Sequence, residues 1–264
     1  APAAFDFAFG TTMAMLASSG AGGIVANVPD VTSIAYLNTI PYNSIPLDAG
    51  TAQMLNGAFA AYNGGLQVFA GMGMISASEA AARTIVFAAG MNAVTLEDDD
   101  LTDLSLFGVP SYRMATANDK IVLTAATFLG TTVGGNPTLI NGVSVPLANN
   151  WVLTESEVAE AQAAVNSFNG TIQGVTSQYG WALFDANATL NQVVGPGLPM
   201  DDFVLTGDLV FGGLFSLDGV HPTARGNAAI AKLMIEAIDA HYGSNLSDVS
   251  LDIGDYPTNY PDGL

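Results

Sequence analysis

The chain has no cysteine among its 264 residues, and only five lysines and arginines against 24 aspartates and glutamates. The first absence excludes disulfides, thiolate nucleophiles and cysteine-based zinc sites, and leaves the redox compartment open. The second gives a formal charge of −19, which repels a phosphate backbone and an anionic bilayer surface alike and argues against nucleic acid as a partner. No apolar run approaches the roughly 18 residues that a membrane-spanning helix needs, because Gly, Asn, Thr or a charge interrupts each candidate. No transmembrane segment is therefore expected. Ala1-Pro2-Ala3-Ala4 lacks the basic start and apolar core of a signal peptide, which implies that a leader was removed or that the chain begins inside a longer one. What the chain does have is apolar material, 50% of its residues, enough for a buried core. Its low lysine content, with 29 glycines and 12 prolines, fits an extracellular or cell-surface setting.

Spacing along the chain gives an alternation of helices and short strands. Phe5, Phe9, Met13 and Leu16 recur at helical intervals over 3–19, and Gly20-Ala21-Gly22-Gly23 ends that segment. Ile24 to Val28 reads as a buried parallel strand stopped by Pro29-Asp30. Residues 51–66 place Leu55, Phe59, Tyr62 and Leu66 on one helical face, and 84–87 and 121–123 read as strands. The stretch 131–150, broken by Gly and Pro, reads as an excursion holding a hairpin around Asn141-Gly142. Thr154-Glu155-Ser156-Glu157 is a capping box opening a long helix to about Tyr179, with Val158, Ala161, Val165, Phe168, Ile172 and Val175 on its core face. A strand at 181–185, a short helix to Val193 and an amphipathic helix from Thr223 to Tyr242 complete the series. Such alternation predicts an α/β fold, a mostly parallel sheet covered on both faces, and one domain across 1–264.

Few residues are candidates for chemistry. The run Glu97-Asp98-Asp99-Asp100-Leu101-Thr102-Asp103 gathers oxygen ligands, but it lacks the spacing and Gly turn of an EF-hand loop, so it reads as a solvated acidic face. No metal or other cofactor is implied. The two histidines differ: His241 near a helix end has a simple account in the helix dipole, whereas His221 sits in Ser216-Leu217-Asp218-Gly219-Val220-His221-Pro222. Asp218 lies three residues before it, where a carboxylate can bond the ring N–H, fix the tautomer and stabilise the imidazolium of a general base. Thr223 or Pro222 then punctuates the helix start.

The run Asp218-Gly219-Val220-His221-Pro222-Thr223-Ala224-Arg225-Gly226 resembles the last sequence block of the SGNH/GDSL family of serine esterases and acylhydrolases. Ile24 to Ser33 also resembles the strand and loop after the third block in one bacterial branch. The resemblance implies a three-layer, flavodoxin-like α/β fold and Ser-His-Asp hydrolysis of a small ester or acyl substrate, with His221 as base and Asp218 as its orienter. It covers only the C-terminal part of such a hydrolase. The family's Gly-Asp-Ser-Leu and Gly-x-Asn-Asp blocks are absent, so the resemblance implies a sheet lacking its N-terminal strands, to be completed by a missing segment or another chain. Ser18-Ser19-Gly20 reads as a helix C-cap, Ser216 is too close in sequence to Asp218, and Thr12 sits in a helical pattern. Asn27, at a strand end, reads as satisfying backbone groups. With base and orienter but no recognisable nucleophile, the isolated chain is expected to be inactive. The alternative is a surface-located binding or assembly protein that retains the fold.

Overall fold

The computed structural model describes residues 2–259. The chain forms two compact units, one made of the residues up to Thr39 with those from Ala159 onward, the other of Ile40–Val158. The first opens with α1 (Pro2–Ala17), β1 (Ile24–Ala26) and α2 (Ala35–Asn38). The second holds β2 (Ile45–Leu47), α3 (Ala49–Gly71), α4 (Ala77–Arg83), β3 (Gly90–Asn92), β4 (Thr95–Glu97), β5 (Tyr112–Met114), β6 (Lys120–Ile121), β7 (Thr132–Val133), β8 (Asn136–Ile140) and β9 (Val152–Leu153). After α5 (Glu155–Tyr179), whose first turn belongs to the second unit, come β10 (Ala182–Phe184), α6 (Ala186–Val194), β11 (Leu198–Met200), β12 (Phe203–Leu205) and α7 (Ala224–Tyr242). The fold is thus mixed α/β, as the alternation predicts. The sequence reads as one domain with an excursion at 131–150; the residues that interrupt the first unit run from 40 to 158.

Among the described residues, β1 and β10 form the one parallel pair, in register Ile24 with Ala182 through Ala26 with Phe184. The other five strand pairs are antiparallel. That single pair is what the described residues contain of the expected mostly parallel sheet. In the first unit the core gathers Leu190, Val193, Leu198, Met200, Leu205, Leu214, Phe215, Ala228 and Ala229. The apolar stripe of α1 is only partly covered: Met13 is buried and Phe5 packs on Phe168 with centroids 4.4 Å apart, whereas Leu16, in the last turn, is exposed. α1 ends at the left-handed Gly20, whose N–H reaches Ala17 O at 2.9 Å. Of the capping box at α5 the glutamate half is formed: Thr154 N–H donates to Glu157 Oε2 at 2.8 Å, and the Thr154 hydroxyl donates to the same oxygen at 3.1 Å.

The second unit centres on Leu55, Phe59, Ile85, Phe87, Val94, Leu96, Ile121 and Val143. Residues 84–87, expected as a strand, join no ladder. Their backbone is bonded instead by two asparagines two turns apart on α3. Asn63 accepts from Ile85 N–H at 2.9 Å and donates to Ile85 O at 2.8 Å. Asn56 does the same for Phe87, at 2.8 and 2.9 Å. A carboxamide carries one acceptor and a donor group, so it replaces one residue of a neighbouring strand. Asn92 brackets Ala88 and Asn169 brackets Val28 in the same way. The hairpin at 131–150 is real, but its turn is Gly134-Gly135, both at positive φ, between β7 and β8. Two successive left-handed residues give the primed turn that matches strand twist. Asn141-Gly142 instead follows β8, and Gly142 O accepts from Thr95 N–H at 2.9 Å.

The acidic run is not simply a solvated face. Asp98 is buried and takes the Arg113 Nε at 2.5 Å, while Arg113 also reaches both oxygens of buried Asp119 at 2.7 Å. Burial works against the Asp119 charge, but Arg113 and the Thr116 and Glu155 N–H groups outweigh it and hold the carboxyl below its usual range. Asp99, Asp100 and Asp103 are exposed and accept from Asn149, Ser156 and Ser105. No group of three or more acidic or histidine side chains placed to hold a metal occurs among the described residues. No helix there is long and apolar enough to cross a membrane.

The asparagine brackets yield a test in the second unit. Asn63→Leu keeps the size of the side chain but leaves the Ile85 N–H and C=O without partners, and is expected to lower stability by about 2–4 kcal/mol. The urea midpoint should fall with the slope unchanged; a loss under about 0.5 kcal/mol would mean the bracket is incidental.

Candidate active site

The Asp218–His221 segment is a tight loop closed at its base by backbone pairing. Thr223 N–H donates to Leu214 O at 2.8 Å, and Ser216 N–H donates to His221 O at 2.8 Å. Below it α7 begins, with Thr223 as N-cap: its hydroxyl accepts from Gly226 N–H at 3.0 Å and donates to Gly213 O at 2.7 Å. Of the two punctuation readings, the Thr cap holds. Gly226 is fixed there by packing, since a Cβ would lie 2.5 Å from Leu214 O. Arg225, the other residue of the resembling block, stacks 3.9 Å over the Phe203 ring and donates to Tyr256 O. It anchors the helix start and does not reach the loop's polar groups.

Within the loop every Asp218 contact is local. Oδ1 accepts from Ser216 Oγ at 2.7 Å, Val220 N–H at 2.8 Å and His221 N–H at 2.9 Å. Oδ2 lies 2.6 Å from His221 Nδ1. The imidazole, with the backbone N–H groups and the Ser216 hydroxyl, holds the Asp218 carboxyl well below the usual carboxylate range. With Nδ1 facing a carboxylate, the ring proton belongs on Nδ1 and Nε2 carries the lone pair. The His221 side chain is 78% exposed, so Nε2 faces solvent. Among the described residues no hydroxyl lies within hydrogen-bonding reach of the ring.

Gly219 sets the loop's position. It is left-handed at φ +72°, and its Cβ, if present, would lie 2.6 Å from Tyr36 N. Tyr36 N–H donates to Gly219 O at 2.9 Å. The loop is thereby docked on α2, which follows β1 through the short helical turn at 31–33.

At the carboxyl ends of the parallel pair, each strand is followed by a polar side chain that bonds across. Asn27 donates to Asp185 Oδ1 at 2.7 Å and accepts from Asn187 N–H at 2.9 Å. Asn187 in turn accepts from Asp30 N–H, and Asp30 caps the turn at 31–33 through Thr32. Asn27 therefore satisfies strand-end backbone, as its position predicts. The other hydroxyl candidates are also engaged locally: Thr12 donates to Ala8 O within α1, Ser18 to Met15 O, and Ser216 to Asp218. Sequence reasoning missed Tyr36, whose part is played by its backbone. It also missed the Asn27–Asp185–Asn187–Asp30 network, whose only signal is an Asx residue directly after each of two strands.

No family model, curated protein or solved structure matches this chain.

Two outcomes follow from the loop geometry. Gly219→Ala, strained at positive φ and abutting Tyr36, is expected to cost about 1–3 kcal/mol in denaturant unfolding. A neutral effect would show that the loop does not need its contact with α2. Because the folded Asp218 pKa is depressed, the loop's stabilisation is present above the unfolded carboxylate value and is lost only as pH falls through the lower folded value. The Asp218 carboxyl carbon, followed by NMR, should still report a carboxylate at about pH 3.9, the midpoint of a free aspartate; titration at that ordinary value would contradict the hydrogen-bond count.

Proposed function

We propose that His221 and Asp218 are the general base and its orienter from a serine-type carboxylic-ester hydrolase, and that the hydroxyl they would serve lies outside the described residues. The observation carrying this is the 2.6 Å contact between Asp218 Oδ2 and His221 Nδ1, with Oδ1 fixed by three other donors. A carboxylate held that rigidly keeps the imidazole in one tautomer, and its charge stabilises the imidazolium formed when Nε2 takes a proton. The resemblance of residues 218–226 to the last SGNH/GDSL block supports the same assignment. The single parallel pair, with polar loops at its carboxyl ends and the His221 loop docked on the segment after β1, is compatible with a flavodoxin-like sheet, where sites gather at strand carboxyl ends. Exposed Leu217 and Val220 flank the dyad, which suits the apolar part of a small ester or acyl substrate.

In this reading 1–264 alone is not an esterase. The lack of a hydroxyl at His221 Nε2 among the described residues also favours the second reading, a binding or assembly protein that keeps the fold without the chemistry. Two measurements separate these. Hydrolysis of p-nitrophenyl acetate by the chain should equal that of His221→Ala; steady turnover abolished by that substitution would place a nucleophile within the chain and overturn the inactive assignment. Nitrogen NMR of the imidazole should give the Nδ1–H tautomer at neutral pH, lost in Asp218→Asn. An Nε2–H tautomer in the parent chain would end the base assignment and leave the binding protein.

A further inference from the structure

At the opposite end of β10 from Asp185, the first unit has a cavity of about 540 Å3 between the end of α5, the start of β10 and the last turns of α7. That volume lies within the roughly 300–1,000 Å3 of small-molecule sites. Gln173, Thr176 and Ser177 line it from α5, at helical spacings that put all three on one face. Facing them are Trp181, directly before β10, and His241 of α7.

Two of the wall residues are held by hydrogen bonds. Trp181 Nε1 donates to Ala21 O at 2.9 Å, and its ring is backed by Gly23, where a Cβ would come within 2.5 Å. His241 Nε2 is bonded to Gly180 O at 2.8 Å, and its ring meets Tyr242 edge-on at 4.6 Å. Tyr242 in turn brackets Gly23, accepting from its N–H and donating to its C=O. Gln173 and Ser177 of α5, by contrast, are exposed and present their polar groups to solvent. Thr176, between them, is buried and backs the site from beneath.

We infer that this cavity is a binding site for a neutral saccharide, a pyranose ring stacked on Trp181 and hydrogen-bonded to Gln173, Ser177 and His241. The lining decides the class. It contains no Lys or Arg for an anion, in a chain of charge −19, and no carboxylate for a cation. A wholly apolar ligand would desolvate Gln173, Ser177 and His241 without replacing their bonds to water. A pyranose offers an apolar ring face to an indole and hydroxyls, each donor and acceptor, around its edge. The site is separate from His221 and does not depend on the proposed hydrolase chemistry.

The test is titration of the full chain with glucose, N-acetylglucosamine and cellobiose, read by tryptophan emission and by saturation-transfer NMR of the sugar protons. At least one sugar should bind saturably with a dissociation constant of about 1 mM or tighter. The chain has two tryptophans, so the emission change should persist in Trp151→Phe and vanish in Trp181→Phe. Gln173→Ala and Ser177→Ala should each weaken binding about tenfold, while His221→Ala binds as the parent. Absence of saturable binding by either readout up to tenfold above that concentration would overturn the proposal. So would affinity unchanged in both α5 variants, or equal binding of glycerol, which has hydroxyls but no ring face.

Discussion

Four hydrogen bonds to one carboxylate organise the C-terminal loop of this protein. Asp218 bonds two backbone N–H groups, a serine hydroxyl and an imidazole, all between Ser216 and His221. The geometry needs a left-handed residue at 219, and Gly219 in turn lets the loop sit against the Tyr36 backbone. The imidazole is therefore positioned by a chain of constraints running from α2 through a glycine to a carboxylate. Thr223 then closes the loop onto α7. Taking away the carboxylate would release the ring and the serine hydroxyl together.

Elsewhere the two units solve a shared difficulty. Their strands are two to five residues long and pair mostly in twos, so many extended residues have no ladder partner. Asparagine supplies one. Asn56, Asn63, Asn92 and Asn169 each bracket the N–H and C=O of a single residue, and Tyr242 does so for Gly23 with one oxygen. These side chains keep extended backbone satisfied where a sheet does not extend. They also explain why irregular segments such as 85–88 can lie over a hydrophobic core. The buried charges follow a different rule: Arg113 is surrounded by two carboxylates, and Arg83 by Glu79 and the carbonyls of Thr102 and Pro110.

Local signals were legible in the sequence wherever a side chain acts on its own neighbourhood. The Thr154–Glu157 box, the Gly20 stop, the long α5 and α7, and the Asp218–His221 pair all depend on contacts within a few residues. Strand assignments were less legible. An apolar β-branched run at 84–87 has the composition of a strand, yet whether it joins a ladder depends on what faces it, and Asn56 and Asn63 lie more than 20 residues away. The hairpin turn was misplaced for a related reason, since Asn-Gly and Gly-Gly both permit positive φ and only the pairing of β7 with β8 selects between them.

What the sequence by itself determined is therefore the short-range chemistry: a formal charge of −19, a fold of alternating helices and strands, and a carboxylate bonded to one histidine. Tertiary structure decided what those pieces face. It placed Gly219 on Tyr36 and drew Asp98 out of an acidic run to pair with Arg113. It also gathered Gln173, Thr176, Trp181 and His241 around one cavity, although His241 reads as a simple helix-end charge. The physical reason is range. Capping, turn formation and an i, i+3 hydrogen bond are fixed by a few consecutive dihedrals, whereas burial and cavity walls depend on which distant segments the folded chain brings together.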